Sequence, residues 1–189
     1  MTEGKTITNV DFKVSSKDED YFNCIFQHCD FNGITFPKML FEQCRFISCN
    51  LSLCKMSMTA WNNIVFDGCK MTGIDFSNSN KFTFSIVVDK CNLQYASFQG
   101  LNLQGVQFRD SQLIETDFSG CNMKKAVFSG SNLSRAVFSH CNLEEADFTT
   151  AIGYTIDPNL NRLSKARFSL QGVPGLLTTF GIVIDQDNP

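Results

Sequence analysis

A large apolar residue returns at every fifth position through most of this 189-residue chain. No standard element has that period, since a helix repeats every 3.6 residues and a strand every 2. From Cys91 the chain divides into tens, and each ten is two fives: CNLQYASFQG, LNLQGVQFRD, SQLIETDFSG, CNMKKAVFSG, SNLSRAVFSH, CNLEEADFTT. The centres of these fives are Leu93, Phe98, Leu103, Phe108, Leu113, Phe118, Met123, Phe128, Leu133, Phe138, Leu143 and Phe148. Two positions before each centre stands a smaller residue, such as Cys91, Ala96, Val106, Ser111, Thr116 or Cys121. Two inward residues in every five fit a chain that turns a corner every five residues. Four corners close a coil of about 20 residues, the unit length of a solenoid, and coils stack at roughly 4.8 Å through backbone hydrogen bonds.

The first half obeys the same rule in another frame, with centres at Tyr21, Phe26, Phe31, Phe36, Phe41, Phe46, Leu51, Met56, Trp61, Phe66, Met71 and Phe76. From Phe76 to Leu93 is 17 residues, three fives plus two. A two-residue insertion therefore lies within 77–92, and the frames place it between Val87 and Lys90. Ser, Asn, Asp and Gly are abundant between the centres, as corners require.

The pattern A/C/S-N/D-L/F-x-x, held over most of the chain, resembles the pentapeptide repeat family. The resemblance implies an all-β fold, a right-handed quadrilateral β-helix, and supplies the handedness that the spacing leaves open. The chain contains 19 Phe against 1 Trp and 3 Tyr, which suits one packing solution repeated many times. All nine Cys occupy the small inward position, so they read as small buried hydrophobes. Their C-x4-C spacing lacks the clustering of a zinc site. With no secretory signal at the N-terminus, disulfides are not expected and the protein is read as cytoplasmic. Asn92, Asn102, Asn122, Asn132 and Asn142 each precede a Leu or Met centre and are expected to form hydrogen-bonded stacks.

The ends depart from the repeat. Residues 1–18 read as an N-terminal cap, with Thr8 to Phe12 as one isolated five, followed by the charged run Lys17, Asp18, Glu19 and Asp20. The β-helix is assigned to 19–170, with the irregular joint at 77–92. Residues 171–189 then form a terminal module. Ser169 is a plausible N-cap and Gly181 a plausible C-terminal cap. A short helix is predicted over 172–179 and an extended segment over Ile182–Ile184. Leu176, Leu177, Phe180, Ile182 and Val183 give this module more apolar surface than a lid needs, which points to a homodimer closed through the C-terminus.

Catalytic chemistry is not expected. His28 and His140 both fall two residues after a centre, pointing outward, without a Ser or Cys partner in a triad-like arrangement. No nucleotide-binding fingerprint appears, and the sequence calls for no cofactor and no metal. A net charge of −3 gives no reason to expect direct nucleic-acid binding. No run is long and apolar enough for a membrane span.

The whole chain also resembles the subgroup of that family containing quinolone-resistance (Qnr) proteins and immunity proteins against microcins and albicidin. The resemblance rests on length, the mid-chain phase break, and IDPNLNRLSKARFSL followed by GLL and FGIVID. YFNCIFQHCDF and FEQCRFISCNL resemble the microcin-immunity type. It implies binding to DNA gyrase or topoisomerase IV and protection from quinolone or peptide poisons, with imitation of a DNA duplex as the mode. Duplex imitation needs a strong acidic field, yet Arg109, Lys124, Lys125 and Arg135 interrupt the acids of 92–150. The alternative is a non-catalytic interaction scaffold with an unrelated partner. The candidate partner-binding residues are Asn78, Asn80, Lys81 and Asp89 of the joint, and the outward acids Asp117, Glu144, Glu145 and Asp147.

Overall fold

The computed structural model describes residues 1–15 and 19–185. The chain winds into a right-handed quadrilateral β-helix of about eight turns. Every ladder pair is parallel: Tyr21 faces Phe41, Phe41 faces Trp61, and Phe26 faces Phe46. The four faces are named by their early centres. The first carries Tyr21, Phe41 and Trp61; the second Phe26, Phe46 and Phe66; the third Phe31, Leu51 and Met71; the fourth Phe36, Met56 and Phe76. All of these centres are buried.

Each corner follows from the five-residue unit. At many corners the carbonyl of a centre accepts the N–H three residues on, as from Cys121 to Phe118 at 3.1 Å and from Leu101 to Phe98 at 3.1 Å. At others that N–H donates to a side chain of the next coil, as from Cys69 to Cys91 Sγ at 3.2 Å and from Cys91 to Ser111 Oγ at 3.1 Å. The residue two after the centre takes a left-handed backbone, for example Lys125 at φ 61° and Gly120 at φ 70°. The corners closed by the bond to the centre carbonyl are type II turns, whose third residue needs positive φ. The smaller inward residue has a second duty beyond fitting. Its side chain donates to the centre carbonyl of the preceding coil: Cys121 Sγ to Phe98 O at 3.0 Å, Thr116 Oγ1 to Leu93 O at 3.0 Å, Ser131 Oγ to Phe108 O at 3.3 Å. A thiol or hydroxyl here therefore packs as a small group and also satisfies a buried acceptor.

The nine cysteines are free and buried. Burial pushes the Cys54 and Cys121 thiols up to about 12 and the Cys44 thiol up to about 11. An unfolded thiol ionises near 8.5. These groups thus favour the fold fully below about pH 8.5, and that contribution is lost as pH rises toward the folded values. Each should remove about 1.4 kcal/mol per pH unit in that window. Urea unfolding at pH 8, 9 and 10 should show a steep decline. A variant carrying Cys54→Ala, Cys121→Ala and Cys44→Ala should show a shallower one, and equal slopes would refute the assignment.

Down the second face, Phe108, Phe128, Phe148 and Phe168 stack at 5.5, 4.7 and 5.2 Å between centroids. Down the fourth, Phe76, Phe98, Phe118 and Phe138 stack at 5.2, 5.4 and 5.2 Å. Rings of the two faces meet edge-on across the core, as Phe108 does with Phe118, the arrangement aromatic quadrupoles favour. The expected amide ladder forms in part: Asn122 donates to Asn102 at 2.9 Å, while Asn132 donates to Gln112 at 3.2 Å.

Three features differ from the sequence reading. The phase change comes earlier than Val87–Lys90. Ile86 already pairs with Ile64 and Val88 with Phe66, and the register shifts between Phe84 and Ile86. The old frame ends at Ser79, which is buried, whereas Lys81, its next centre by spacing, is exposed. A lysine cannot serve as a core centre, so the chain loops out and re-enters the first face later, with Phe84 opposite Trp61 where the old frame would put Lys81. At the start, residues 2–12 form three fives rather than one: Thr2 pairs with Tyr21, Ile7 with Phe26, and Asp11 with Asp30. Phe12 stacks on Phe31 at 4.2 Å. Lys17 and Asp18 lie outside the described residues. At the end, the helix is split into a turn at Leu170–Gly172, a helix at Pro174–Leu177 and a turn at Thr178–Phe180. Ser169 accepts the Gly172 N–H at 3.1 Å, and Gly181 closes the module at φ 64°. Ile182–Ile184 enter no strand and are exposed, with no coil strand pairing to them among the described residues.

Candidate interaction surface

In a filled solenoid the working surface is the outside. Seven large apolar residues stand exposed on the body between Glu19 and Ser169. Leu53 and Tyr95 sit at the corner entering the fourth face, Met58 and Leu160 at the corner leaving it, and Val137 on the face itself. Phe82 tips the loop at the joint, which leaves that same edge, and is 99% exposed. Ile152 alone, on the third face, lies elsewhere. The other six lie along one side of the rod as a broken apolar ridge, interrupted by the face's outward Lys55, Asp75, Ser97 and Asp117, with Phe82 its most exposed member. Exposed apolar groups gathered on one side make that side the candidate interface. Sequence reasoning missed it. Phe82 occupies no repeat centre, unlike most of the phenylalanines, and that was its available signal.

The joint holds Phe82 out by local bonds. Asn80 Oδ1 accepts the Phe82 N–H at 3.0 Å, and Asn80 N–H donates to Thr59 O at 2.9 Å. The Lys81 ammonium lies over Gly100, within 3.4 Å of where a β-carbon would stand. Beneath the loop, Trp61 Nε1, Ser79 Oγ and Thr83 Oγ1 have no hydrogen-bond partner among the described residues. The joint is thus less well satisfied than the regular coils.

The eight partner-binding candidates do not form one site. Asn78, Asn80, Lys81 and Asp117 fall on the fourth face or its edge, beside the apolar ridge. Asp89 and Asp147 lie on the opposite, second face, and Glu144 and Glu145 at the corner between first and second. Several of the acids are already neutralised one coil away. Lys124 Nζ is 3.3 Å from Glu144 and 3.5 Å from Glu145, and Lys125 Nζ is 3.7 Å from Glu145. Arg167 is 3.0 Å from Asp147. Partial burial pushes Asp147 upward, but the Thr149 hydroxyl, the Thr149 N–H and Arg167 outweigh it and hold the carboxyl below its usual value. Arg135 Nε meets Glu115 at 2.9 Å. Acids and bases therefore alternate up the columns instead of forming an acidic stripe.

Of the five dimer candidates, Leu176 and Leu177 are half-buried, Leu176 against the core, while Phe180, Ile182 and Val183 are exposed. His140 has a serine neighbour that the sequence reading did not anticipate: Ser139 Oγ is 2.8 Å from Nδ1, at an exposed corner. Among the described residues, no group of three or more His, Cys, Asp or Glu could hold a metal ion. Among the described residues, no helix is long and apolar enough to cross a membrane.

Comparison with known proteins agrees with this architecture. The pentapeptide repeat region profile matches residues 20–87 and 84–148. No curated protein matches the sequence. Among solved structures, a trypsin-treated variant of QnrB1, a plasmid-mediated fluoroquinolone resistance protein, superposes with a TM-score of 0.75. The two are 20% identical, and the match covers 98% of this chain and 91% of that one. Full-length QnrB1 gives a TM-score of 0.55 at 20% identity, covering 95% and 99%.

Proposed function

The chain belongs to the pentapeptide repeat family, and from that premise we propose that it is a non-catalytic, cytoplasmic protein-binding rod that protects bacterial DNA gyrase or topoisomerase IV from quinolone or peptide poisons. The observation that carries the binding reading is the apolar ridge on the fourth face, with Phe82 at its tip. Fully exposed aromatics are costly to leave in water and are enriched among binding hot spots. The choice of partner is supported by the fold shared with QnrB1, a fluoroquinolone resistance protein.

Docking in this reading runs through apolar anchors more than through imitation of a duplex, because the columns of Glu115, Glu144, Glu145 and Asp147 carry their own cations. Asn78, Asn80, Lys81 and Asp117 flank the ridge and would contribute its polar rim. The second-face and first-face acids would lie outside the contact. Two copies joined through Phe180, Ile182 and Val183 would present two ridges to a two-fold enzyme.

The test is a gyrase supercoiling assay in the presence of a quinolone or a peptide poison. The wild-type chain should restore supercoiling. Phe82→Asp should weaken rescue about 30-fold, the effect of losing a hot spot of about 2 kcal/mol. Its unfolding midpoint should be unchanged, since Phe82 makes no core contact. Absence of rescue by the wild type, with no binding to gyrase or topoisomerase IV subunits, would overturn the partner. Full rescue by Phe82→Asp would overturn the ridge.

A further inference from the structure

A groove of about 350 Å³ crosses the edge between the fourth and first faces, well along the rod from Phe82. Three consecutive coils build it. At the corner stand Gly120, then His140, then Leu160; on the adjoining first face run Asn122, Asn142 and Arg162 in register. Gly120 lacks a side chain where its neighbours project, and its φ of 70° suits glycine. This leaves a notch beside His140.

The rim presents donors. The Arg162 guanidinium has no acidic partner among the described residues, whereas Lys124, Lys125, Arg135 and Arg167 are each matched by a carboxylate. Asn142 Oδ1 is occupied by the Glu144 N–H at 3.2 Å, so its free end is the amide nitrogen. Ser139 engages His140 Nδ1 at 2.8 Å, which leaves Nε2 open. The nearby acid Glu144 is held by Lys124. Asp117 and Asp157 are not part of the lining, and each accepts a local backbone N–H, from Ser119 and Asn159.

A cation able to bind two oxygens at once, an amide N–H and an imidazole nitrogen around one notch suit a small anion with several oxygens. We propose that this groove binds an oxyanion of the phosphate class, with Arg162 as the principal ligand and Asn142 and His140 completing the set. The site shares only Leu160 with the apolar ridge, and it does not depend on the identity of the ridge's partner.

Inorganic phosphate titrated into the full-length protein, followed by NMR, tests it. Saturating shifts should centre on Gly120, His140, Asn142 and the Arg162 side chain. Arg162→Ala should weaken binding about tenfold or more, as loss of a charge-assisted pair does. Leu160→Glu, which sets a carboxylate beside the notch, should also weaken it. Arg167→Ala, a cation already paired elsewhere, should leave it unchanged. Shifts spread over all surface cations, or binding that survives both groove substitutions, would overturn the site. Acetate binding as tightly as phosphate would overturn the assignment to the phosphate class.

Discussion

Replacing Phe128 with Ala should cost about 3–5 kcal/mol, the range for truncating a buried aromatic. Phe128 is fully buried and lies between Phe108 and Phe148, at 5.5 and 4.7 Å. It also meets Phe118 and Phe138 edge-on. The neighbours cannot collapse into the gap, because the coil backbone is fixed on both sides by ladder bonds. Phe128 N–H donates to Asp147 O at 3.0 Å, and Phe108 N–H to Val127 O at 2.8 Å. The residual cavity therefore stays close to the size of the ring. Urea denaturation measures the loss. A change below about 1 kcal/mol, the scale of an ordinary surface substitution, would mean that the coils can close around missing volume. Val137→Ala, on an outward position 47% exposed, serves as the near-neutral comparison.

Gly175→Ala should undock the C-terminal module. A β-carbon at Gly175 would stand 2.2 Å from the Tyr154 carbonyl oxygen. That oxygen belongs to the backbone and cannot rotate away. The same glycine's carbonyl accepts the Ile156 N–H at 3.0 Å, tying the module to the last coil. Relieving the clash means lifting Pro174–Leu177 off the coil and exposing Leu176. Limited proteolysis should then cut within 170–185, and light scattering should read a monomer if those residues join two copies. The unfolding of the coils before residue 150 should be little affected, since solenoid stability is a sum of neighbouring contacts. Gly181→Ala separates conformation from collision. Nothing lies within 4 Å of a β-carbon there, but φ is +64°, so only about 1 kcal/mol is expected. Equal behaviour of the two variants would show that the contact with Tyr154 is not what holds the module.

The repeat was legible because a five-residue period admits few solutions, and each centre could be read independently of its neighbours. The cysteines followed from the same frame. Their hydrogen bonds to the coil before, as from Cys141 to Phe118 at 3.1 Å, needed the stacking register. So did the pairing of Glu144 with Lys124, although the 20-residue separation was visible once the coil length was known. The first coil was hidden because Thr2 and Ile7 are poor matches to the aromatic centres above them. Their inclusion is decided by backbone ladder bonds, such as Ile25 N–H to Lys5 O at 2.9 Å. The joint was misplaced because Ile86 satisfies both frames; only its pairing with Ile64 chooses one. The surface ridge depends on which corners share a face, a property of three dimensions that a list of outward residues does not contain.

The joint adds two residues to one coil, yet above it the pairing returns to steps of 20, as from Asn102 to Asn122 and on to Asn142. The extra length is absorbed sideways and the axis is left undisturbed. Distance along the rod is therefore quantised. The separation between Phe82 and the terminal module can change only by whole coils, about 4.8 Å at a time, and each added coil keeps every face pointing where it did. A lineage could thus lengthen its reach without re-aiming either end, in the way a ruler is extended by one graduation.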